Sequence, residues 1–310
     1  MTTRPPAVAG LFYPGQPAAL AAAVDALLAA VPAPAPPPPA FVAPHAGYVY
    51  SGSTAALAYA AVRARRDEIA HVVILGPTHR FGLPAIALPA ADRFATPLGD
   101  VPVWADGAAR VAGLPQVAVS APAHAEEHSI EVHLPFLQRT LADFDVLPLA
   151  VGWVSDAAVA EVVEAVWNPA DTLIVASSDL SHYLPYDEAR RRDEATLRQL
   201  LDLAGPLDHD QACGATPVNG LMTAAGRGCL GPPGPADGPP ASAPGLTPRL
   251  LGACNSGDTA GDRARVVGYA AVGFYPSADT AANQAAGADA TAGRPAKAAG
   301  ATRPPAGADR

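Results

Sequence analysis

The chain is poor in cysteine, in charged residues and in aromatic residues. Its 310 residues include 3 cysteines, and 16% are charged and 6% aromatic. An odd number of cysteines without a C-x-x-C pair does not make a disulfide framework and favours a reducing compartment. The net charge of −9 argues against a general nucleic-acid binder, which needs a basic surface to displace counterions from phosphates. Half of the residues are hydrophobic, which is enough for a sizeable core.

Several common signatures are also absent. No G-x-G-x-x-G follows a strand and no G-x-x-x-x-G-K-[ST] occurs, so nothing supports a nucleotide cofactor. There is no G-x-S-x-G nucleophile elbow either. The uncharged stretch 5–24 is interrupted by prolines and glycines and could not cross a membrane as one continuous helix. We therefore predict a soluble, cytoplasmic protein with neither a membrane nor a nucleic-acid partner.

Three segments differ from the rest in composition. Residues 32–40 form a short polyproline tract, which is typical of a stiff connector. Residues 230–248 contain seven prolines and almost no large apolar side chain, which predicts a surface loop inserted between core elements. Residues 277–310 lack Val, Ile, Leu, Met and aromatic residues, so burial cannot offset their ordering entropy and we predict a disordered tail. The folded part is then one domain, residues 1–276.

Short apolar runs alternate with helical patterns along this domain. Strands are predicted at 40–43, 71–75, 85–88, 145–151, 172–176 and 266–274. Helices are predicted at 17–30, 53–65, 156–167, 186–203 and 217–227. Several strands lack the alternation of a one-sided sheet, so we expect them to be buried on both faces. The sequence therefore predicts an α/β domain with a central mixed sheet and helices on both faces.

Histidines follow the carboxyl ends of three predicted strands. They are His45, His79 and His182, the last of which lies close to Asp179. In open α/β sheets ligands bind at this edge, because the loops converge there. Imidazoles gathered at such an edge are candidate metal ligands or proton carriers. Each ring could instead merely bond a loop carbonyl, but three in the same topological position favour a functional site.

Besides these strand ends, a polar cluster spans residues 126–135 and holds two histidines and three carboxylates. In an extended segment Glu131 and His133 would share a face, whereas in a helix Glu127 and Glu131 would do so. Pro135 favours a helix that begins beside it, with the cluster in the preceding loop. A solvated acidic turn also fits the pattern. We expect His133 and Glu131 to support the site or to contact substrate.

One of the cysteines, Cys213, directly precedes a predicted helix. A helix N-terminus lowers the pKa of a thiol and favours the thiolate, which is the form that binds metal. A small buried side chain is the alternative for Cys213 and the preferred interpretation of Cys229 and Cys254. The run 177–179 beside His182 also allows a hydrolase triad, although nothing marks a serine there as a nucleophile.

Long motifs are spread over residues 4–276. They read RPPAVAGLFYP (4–14), APHAGYVYSG (43–52), ILGPTHR (74–80), EHSIEVHLPF (127–136), SSDLSHY (177–183), CGATPV (213–218), NSGDTAGD (255–262) and VVGYAAVGF (266–274). In this order they resemble the Memo family, which in bacteria includes AmmeMemoRadiSam system protein B. The bacterial genes of that family tend to accompany a radical-SAM enzyme and an AMMECR-type protein, so the resemblance implies those two as partners.

The resemblance implies a fold related to the class III extradiol dioxygenases, which are non-haem iron enzymes that open catechol rings. It also implies a metal pocket formed by His45, His79 and Cys213, with Asp179 and His182 beside it. The dioxygenases hold iron with two histidines and a glutamate, and the cysteine here departs from that pattern. A thiolate is softer than a carboxylate, favours copper or zinc, and is itself oxidisable beside a redox metal.

The first hypothesis is therefore a redox or oxygenase-like protein with iron or copper in this pocket. In it, His182 is the acid/base group, Asp179 orients His182, and the ligand is a small molecule or a peptide. A second hypothesis is a binding module that catalyses nothing. A third is a zinc metallohydrolase, which would use the same ligands. The identity of the metal distinguishes the three.

Overall fold

A computed structural model of the chain describes residues 1–32, 36–228, 230 and 245–277. The strands are β1 (Thr3–Arg4), β2 (Ala40–Ala43), β3 (His71–Pro77), β4 (Ile86–Leu88), β5 (Arg93–Thr96), β6 (Gly99–Pro102), β7 (Val117–Val119), β8 (Asp145–Val151), β9 (Thr172–Ser177), β10 (His182–Leu184), β11 (Leu246–Asn255) and β12 (Val266–Pro276). The α-helices are α1 (Pro17–Ala29), α2 (Tyr48–Val62), α3 (Ala105–Val111), α4 (Ala121–Ala125), α5 (Leu134–Thr140), α6 (Asp156–Val166), α7 (Tyr186–Leu201), α8 (Ala215–Gly226) and α9 (Ser256–Thr259).

Most strands belong to one large mixed sheet. Its order is β10-β12-β2-β9-β3-β8-β4-β7, and β11 pairs with β12 as well. The four central strands β2, β9, β3 and β8 are mutually parallel. They are flanked by antiparallel neighbours, β12 beside β2 and β4 beside β8. A small separate sheet joins β1, β5 and β6.

The central strands are buried on both faces, as their continuous apolar character predicts. In β9, Ile174 and Ala176 pack into the core that α6, α7 and α8 cover. Leu173 and Val175 of the same strand face the opposite core, which α1, α2 and α5 cover. Full burial of each of the larger side chains, Leu173, Ile174 and Val175, contributes about 1.5–3 kcal/mol. The predicted α/β fold, with a mixed sheet and helices on both faces, is confirmed.

The proline in β8 illustrates how the sheet accommodates an unfavourable residue. Pro148 lies inside this strand and is aligned with Ile74 of β3. On the other side of β8, the neighbouring strand β4 pairs only with Ala150 and Val151. The missing N–H of Pro148 therefore falls outside the β4 pairing, which is the kind of position where proline is tolerated in a sheet.

The compositionally unusual segments lie partly or wholly outside the described residues. Residues 33–35 of the polyproline tract, 231–244 of the Pro-rich segment and 278–310 of the tail are outside them. The last three residues of the predicted insertion, 246–248, begin β11 and pair with β12 instead of forming a loop. Among the described residues, no helix combines the length and apolar character needed to cross a bilayer.

The parallel arrangement of the central strands decides where the loops meet. Because β2, β3 and β9 run in the same direction, their carboxyl ends lie at one edge of the sheet. The loops that leave this edge carry His45, His79 and Asp179. The fold thus brings together residues up to 134 positions apart in the chain.

Candidate functional site

Three imidazole rings cluster at the carboxyl edge of the parallel strands. His45 follows β2, His79 follows β3, and His128 lies between α4 and a short 3-10 turn. One ligand nitrogen from each ring lies within 4.8 Å of those from the other two. The ring centroids are 5.1 Å apart for His45 and His79, and 4.7 Å apart for His79 and His128. His45 is buried, His128 half-buried and His79 exposed, so the cluster opens to solvent on one side.

His45 is held by three neighbours. Its backbone N–H donates to Oδ1 of Asp179 at 2.8 Å, which fixes the loop. Its ring Nδ1 lies 2.7 Å from Oγ of Ser177, and Nε2 lies 3.2 Å from Sγ of Cys213. Burial lowers the pKa of His45 well below its usual range, so the ring is neutral at neutral pH.

A buried carboxylate bonds the ring of His79 and the backbone of His128. Glu127 is 2% exposed and accepts hydrogen bonds from the backbone N–H groups of His79, His128 and Ser129 at 2.6–2.9 Å. Its Oε1 also lies 2.9 Å from Nδ1 of His79. Burial alone would raise the pKa of Glu127, but the bonds from His79 and Ser129 lower it to about 2. Burial lowers the pKa of His128 to about 4.

Cys213 contacts this cluster beside His45, two residues before α8 begins. Its Sγ accepts a hydrogen bond from the backbone N–H of Asp179 at 3.3 Å. The sequence predicted that the helix N-terminus would lower the pKa of this thiol. Burial, reinforced by the carboxylate of Asp179, raises it instead, so Cys213 is a neutral thiol here. The desolvation of the sulfur outweighs the helix dipole.

Asp179 and His182 also line the site, but no hydrogen bond between their side chains is formed. Nδ1 of His182 lies 2.8 Å from the carbonyl oxygen of Leu180, so that carbonyl, and not Asp179, sets the orientation of the ring. Burial lowers the pKa of His182. Burial raises the pKa of Asp179 to about 7, even though the backbone N–H of His45 donates to it.

His133 lies behind the cluster and reaches it through one hydroxyl. Its Nε2 is 2.7 Å from Oγ of Ser177, the same atom that contacts His45. Its Nδ1 is 2.6 Å from the hydroxyl of Tyr59. Ser177 thus links His133 to His45.

We expected Glu131 to support the site or to contact substrate, but it lies away from the cavities at the histidine cluster. It is fully buried and forms an ion pair with Arg4. Its carboxylate also accepts hydrogen bonds from the backbone N–H groups of Ala7 and Val8, at 2.7 and 3.0 Å, and from the hydroxyl of Tyr13, at 2.5 Å. Glu131 therefore anchors the N-terminal segment, and it does not line the cavities at the histidine cluster.

Two cavities meet at the cluster. One has a volume of about 670 Å³ and is lined by the candidate ligands together with Arg80, Arg192 and His209. The other has a volume of about 460 Å³ and a mostly apolar wall that includes Leu11, Val49, Tyr50 and Tyr269. Both are lined by Phe12, His128, Asp179, His182 and Tyr183. These volumes are within the range of small-molecule sites.

Three features of this arrangement were not predicted from the sequence, namely His128 in the cluster, Glu127 as the partner of His79, and Ser177 as a bridge. His128 and Glu127 belong to the polar cluster 126–135, but that cluster follows no predicted strand. The unusual density of histidine and carboxylate was the available signal. For Ser177, nothing in the local sequence distinguishes the buried bridge from any other serine at a strand end.

The sheet, the two helical layers and the histidine cluster define an α/β protein with a candidate metal site at the carboxyl edge of its strands. Residues 4–273 match the family model described as Memo-like protein. The chain belongs to the Memo family, which confirms the resemblance of its motifs.

Relatives support the same assignment over nearly their full length. A MEMO1 family protein of Aquifex aeolicus is 35% identical over 283 residues, covering 87% of this chain and 98% of the relative. One of Methanopyrus kandleri is 34% identical over 296 residues, covering 87% and 98%. One of Archaeoglobus fulgidus is 34% identical over 280 residues, covering 87% and 99%.

Proposed function

We propose that this protein binds one redox-active transition-metal ion, iron or copper, and acts on a small molecule held in the adjoining cavities. His45, His79 and His128 would hold the ion, and Cys213 would complete the site. The observation that carries the proposal is the approach of three imidazole nitrogens to within 4.8 Å of one another.

The donors suit such an ion. Imidazole is a ligand for iron, copper and zinc. A bound ion would deprotonate the Cys213 thiol, and the resulting thiolate adds a preference for softer ions such as Cu(I). Because the pKa values of His45 and His128 are lowered, both rings are neutral and keep a lone pair at neutral pH. The Glu127–His79 contact is the carboxylate–histidine pairing that commonly orients metal ligands. A bound Fe(II) or Cu(I) ion would supply one-electron redox chemistry and Lewis acidity at this point.

His182 would act as the proton acceptor for a ligand bound in the cavities. The carbonyl of Leu180 can only accept, so Nδ1 of His182 carries a hydrogen and Nε2 has the lone pair in the neutral ring. His182 lines both cavities and can therefore accept a proton from a ligand there. The apolar cavity beside it would exclude water from an aromatic or aliphatic part of that ligand.

Metal content tests the proposal. The full-length protein is purified anaerobically for elemental analysis, and the metal-free protein is then titrated with Fe(II), Cu(I) and Zn(II). We expect about one equivalent of iron or copper in the wild type and none in the His45→Ala/His79→Ala variant. The Cys254→Ala variant is the control, because Cys254 lies outside the site with its Sγ 3.0 Å from Oγ1 of Thr54.

Other outcomes would favour a different function or exclude Cys213 as a ligand. Tight binding of zinc with no affinity for iron or copper would favour the zinc metallohydrolase. If wild-type protein binds none of the three ions, the metal proposal fails and the non-catalytic binding module takes its place. Equal loss of binding in Cys213→Ala and Cys254→Ala would exclude Cys213 as the relevant thiol.

A further inference from the structure

We infer that Ser177 is a positioning residue that fixes His45 in the Nδ1–H tautomer and so presents the Nε2 lone pair to the candidate metal site. Ser177 is fully buried at the end of β9. Its Oγ has three polar neighbours: Nδ1 of His45, Nε2 of His133 and the carbonyl oxygen of Ser129. The three distances are 2.7, 2.7 and 2.6 Å.

Only one arrangement of hydrogens around Oγ of Ser177 satisfies all three contacts. The carbonyl oxygen of Ser129 can only accept, and at 2.6 Å it needs the hydroxyl hydrogen of Ser177. A hydroxyl has one hydrogen, so none is left for either ring. Both ring nitrogens must therefore donate to the two lone pairs of Oγ, which makes Nδ1 of His45 and Nε2 of His133 N–H groups.

The assignment decides which nitrogen of His45 can bind a metal. A buried neutral imidazole carries one hydrogen, and here Nδ1 holds it. The lone pair is then on Nε2, the atom that lies 3.2 Å from Sγ of Cys213. The second ring nitrogen of a metal-binding histidine usually makes such a bond, and that bond fixes both the tautomer and the ring orientation.

The hydrogen bond between His133 and Tyr59 is consistent with these donor and acceptor assignments. Because His133 is protonated on Nε2, its Nδ1 must accept, and the hydroxyl of Tyr59 lies 2.6 Å away as the donor. Burial lowers the pKa of His133 to about 3, so the ring carries a single hydrogen at neutral pH. Tyr59 and His133 are almost completely buried, so water does not compete for these bonds.

The inference rests on the proposed metal site for its functional meaning, but the tautomer can be measured without metal. Long-range ¹H–¹⁵N spectra of metal-free protein labelled at histidine distinguish Nδ1–H from Nε2–H rings. We expect His45 to be Nδ1–H and His133 to be Nε2–H in the wild type. In Ser177→Ala, His45 should shift toward Nε2–H, the form that an unconstrained imidazole prefers in water, and Ser177→Thr should restore Nδ1–H.

The same variants are then titrated with Co(II) as a spectroscopic probe. Ser177→Ala should bind Co(II) about 10–100-fold more weakly than the wild type. Ser51→Ala is the matched control, since this buried serine donates to the carbonyl of Ala46 and bonds no imidazole. Its His45 tautomer and Co(II) affinity should match those of the wild type.

A wild-type His45 that is mainly Nε2–H would overturn the inference, and this measurement does not depend on whether any variant folds. An unchanged His45 tautomer in folded Ser177→Ala would overturn it as well. The expected tautomers in a protein that binds no Co(II), Fe(II), Cu(I) or Zn(II) would leave the inference standing and defeat the proposed function alone.

Discussion

The carboxylate of Glu127 binds His79 twice, accepting from its backbone N–H at 2.6 Å and pairing with its ring Nδ1 at 2.9 Å. The Glu127→Gln substitution replaces one anionic acceptor oxygen with an N–H₂ donor that faces other donors. We expect Zn(II) affinity to fall about 10–100-fold and the free energy of unfolding to fall by about 1–3 kcal/mol. Isothermal titration and urea unfolding measure the two effects.

The neighbouring Glu126 provides the control for this prediction. It is exposed and close in the sequence to Glu127. Glu126→Gln should leave both quantities near the wild-type values. If both variants weaken zinc binding equally, the effect is one of overall charge, and the direct contact of Glu127 with His79 is not its cause.

A second prediction concerns the buried ion pair between Arg4 and Glu131. Glu131→Gln leaves the guanidinium buried without its counter-charge, which costs about 3–5 kcal/mol. Urea unfolding should show this loss. The exposed pair of Arg139 and Asp25 is the comparison, and Asp25→Asn should cost no more than about 1 kcal/mol. Similar losses in both variants would mean that Glu131 does not anchor the N-terminal segment.

A third prediction concerns the glycine beside Cys213. A Cβ at Gly214 would lie 2.2 Å from the carbonyl oxygen of Ser177, so Gly214→Ala must displace either β9 or the start of α8. We expect a loss of about 1–3 kcal/mol in the free energy of unfolding, together with weaker metal binding. Thermal unfolding and metal titration measure both.

Gly226, near the end of the same helix, is the matched control for Gly214. A Cβ there meets nothing within 4 Å. Gly226→Ala should be neutral or stabilise the protein by about 0.5–1 kcal/mol, because alanine loses less conformational freedom on folding. A Gly214→Ala protein as stable as Gly226→Ala would contradict the steric argument.

The fourth prediction is a pH dependence carried by His124. Burial lowers its pKa to about 4, although the bond to the carbonyl of Ala87 opposes this shift. The unfolded chain, with a histidine pKa of about 6.5, binds this proton first. The wild type should therefore lose stability as the pH falls from about 6.5 toward 4, by up to about 1.4 kcal/mol per pH unit from this residue.

The difference between the wild type and His124→Gln isolates this contribution. Asp179 acts in the opposite direction, because a carboxyl whose pKa is raised stabilises the fold as the pH falls. Urea unfolding at pH 7, 6, 5 and 4.5 should show that the free energy of unfolding falls less with decreasing pH in the variant than in the wild type. Parallel curves for the two proteins would show that His124 does not remain neutral in the folded state.

Much of the fold could be predicted because its signals are local. The runs at 40–43, 145–151 and 172–176 are strands β2, β8 and β9 within one residue of the predicted bounds. Helix α2 begins earlier than expected, at Tyr48, because the packing of its buried residues outweighs the low helix propensity of a segment rich in serine and glycine. β11 was missed, since Pro248 and Gly252 obscure the pattern of a strand stabilised by its long pairing with β12.

The candidate site was only partly accessible from the sequence. Placing His45 and His79 at one edge required only the strand ends and the rule that parallel strands share a carboxyl edge. Predicting that Asp179 orients His182 failed, because the backbone carbonyl of Leu180, two residues away, takes the ring Nδ1. A backbone acceptor of this kind has no signature in the sequence.

By itself, the amino-acid sequence determined the α/β class, the family and the strand ends that carry His45 and His79, because periodicity and motifs are properties of neighbouring residues. Only the tertiary structure decided that His128 joins these two rings, that Ser177 bridges His45 to a second histidine, and that Cys213 is held as a neutral thiol. Those outcomes depend on burial and on contacts between segments far apart in the chain, and both arise only when the sheet and its helices pack together.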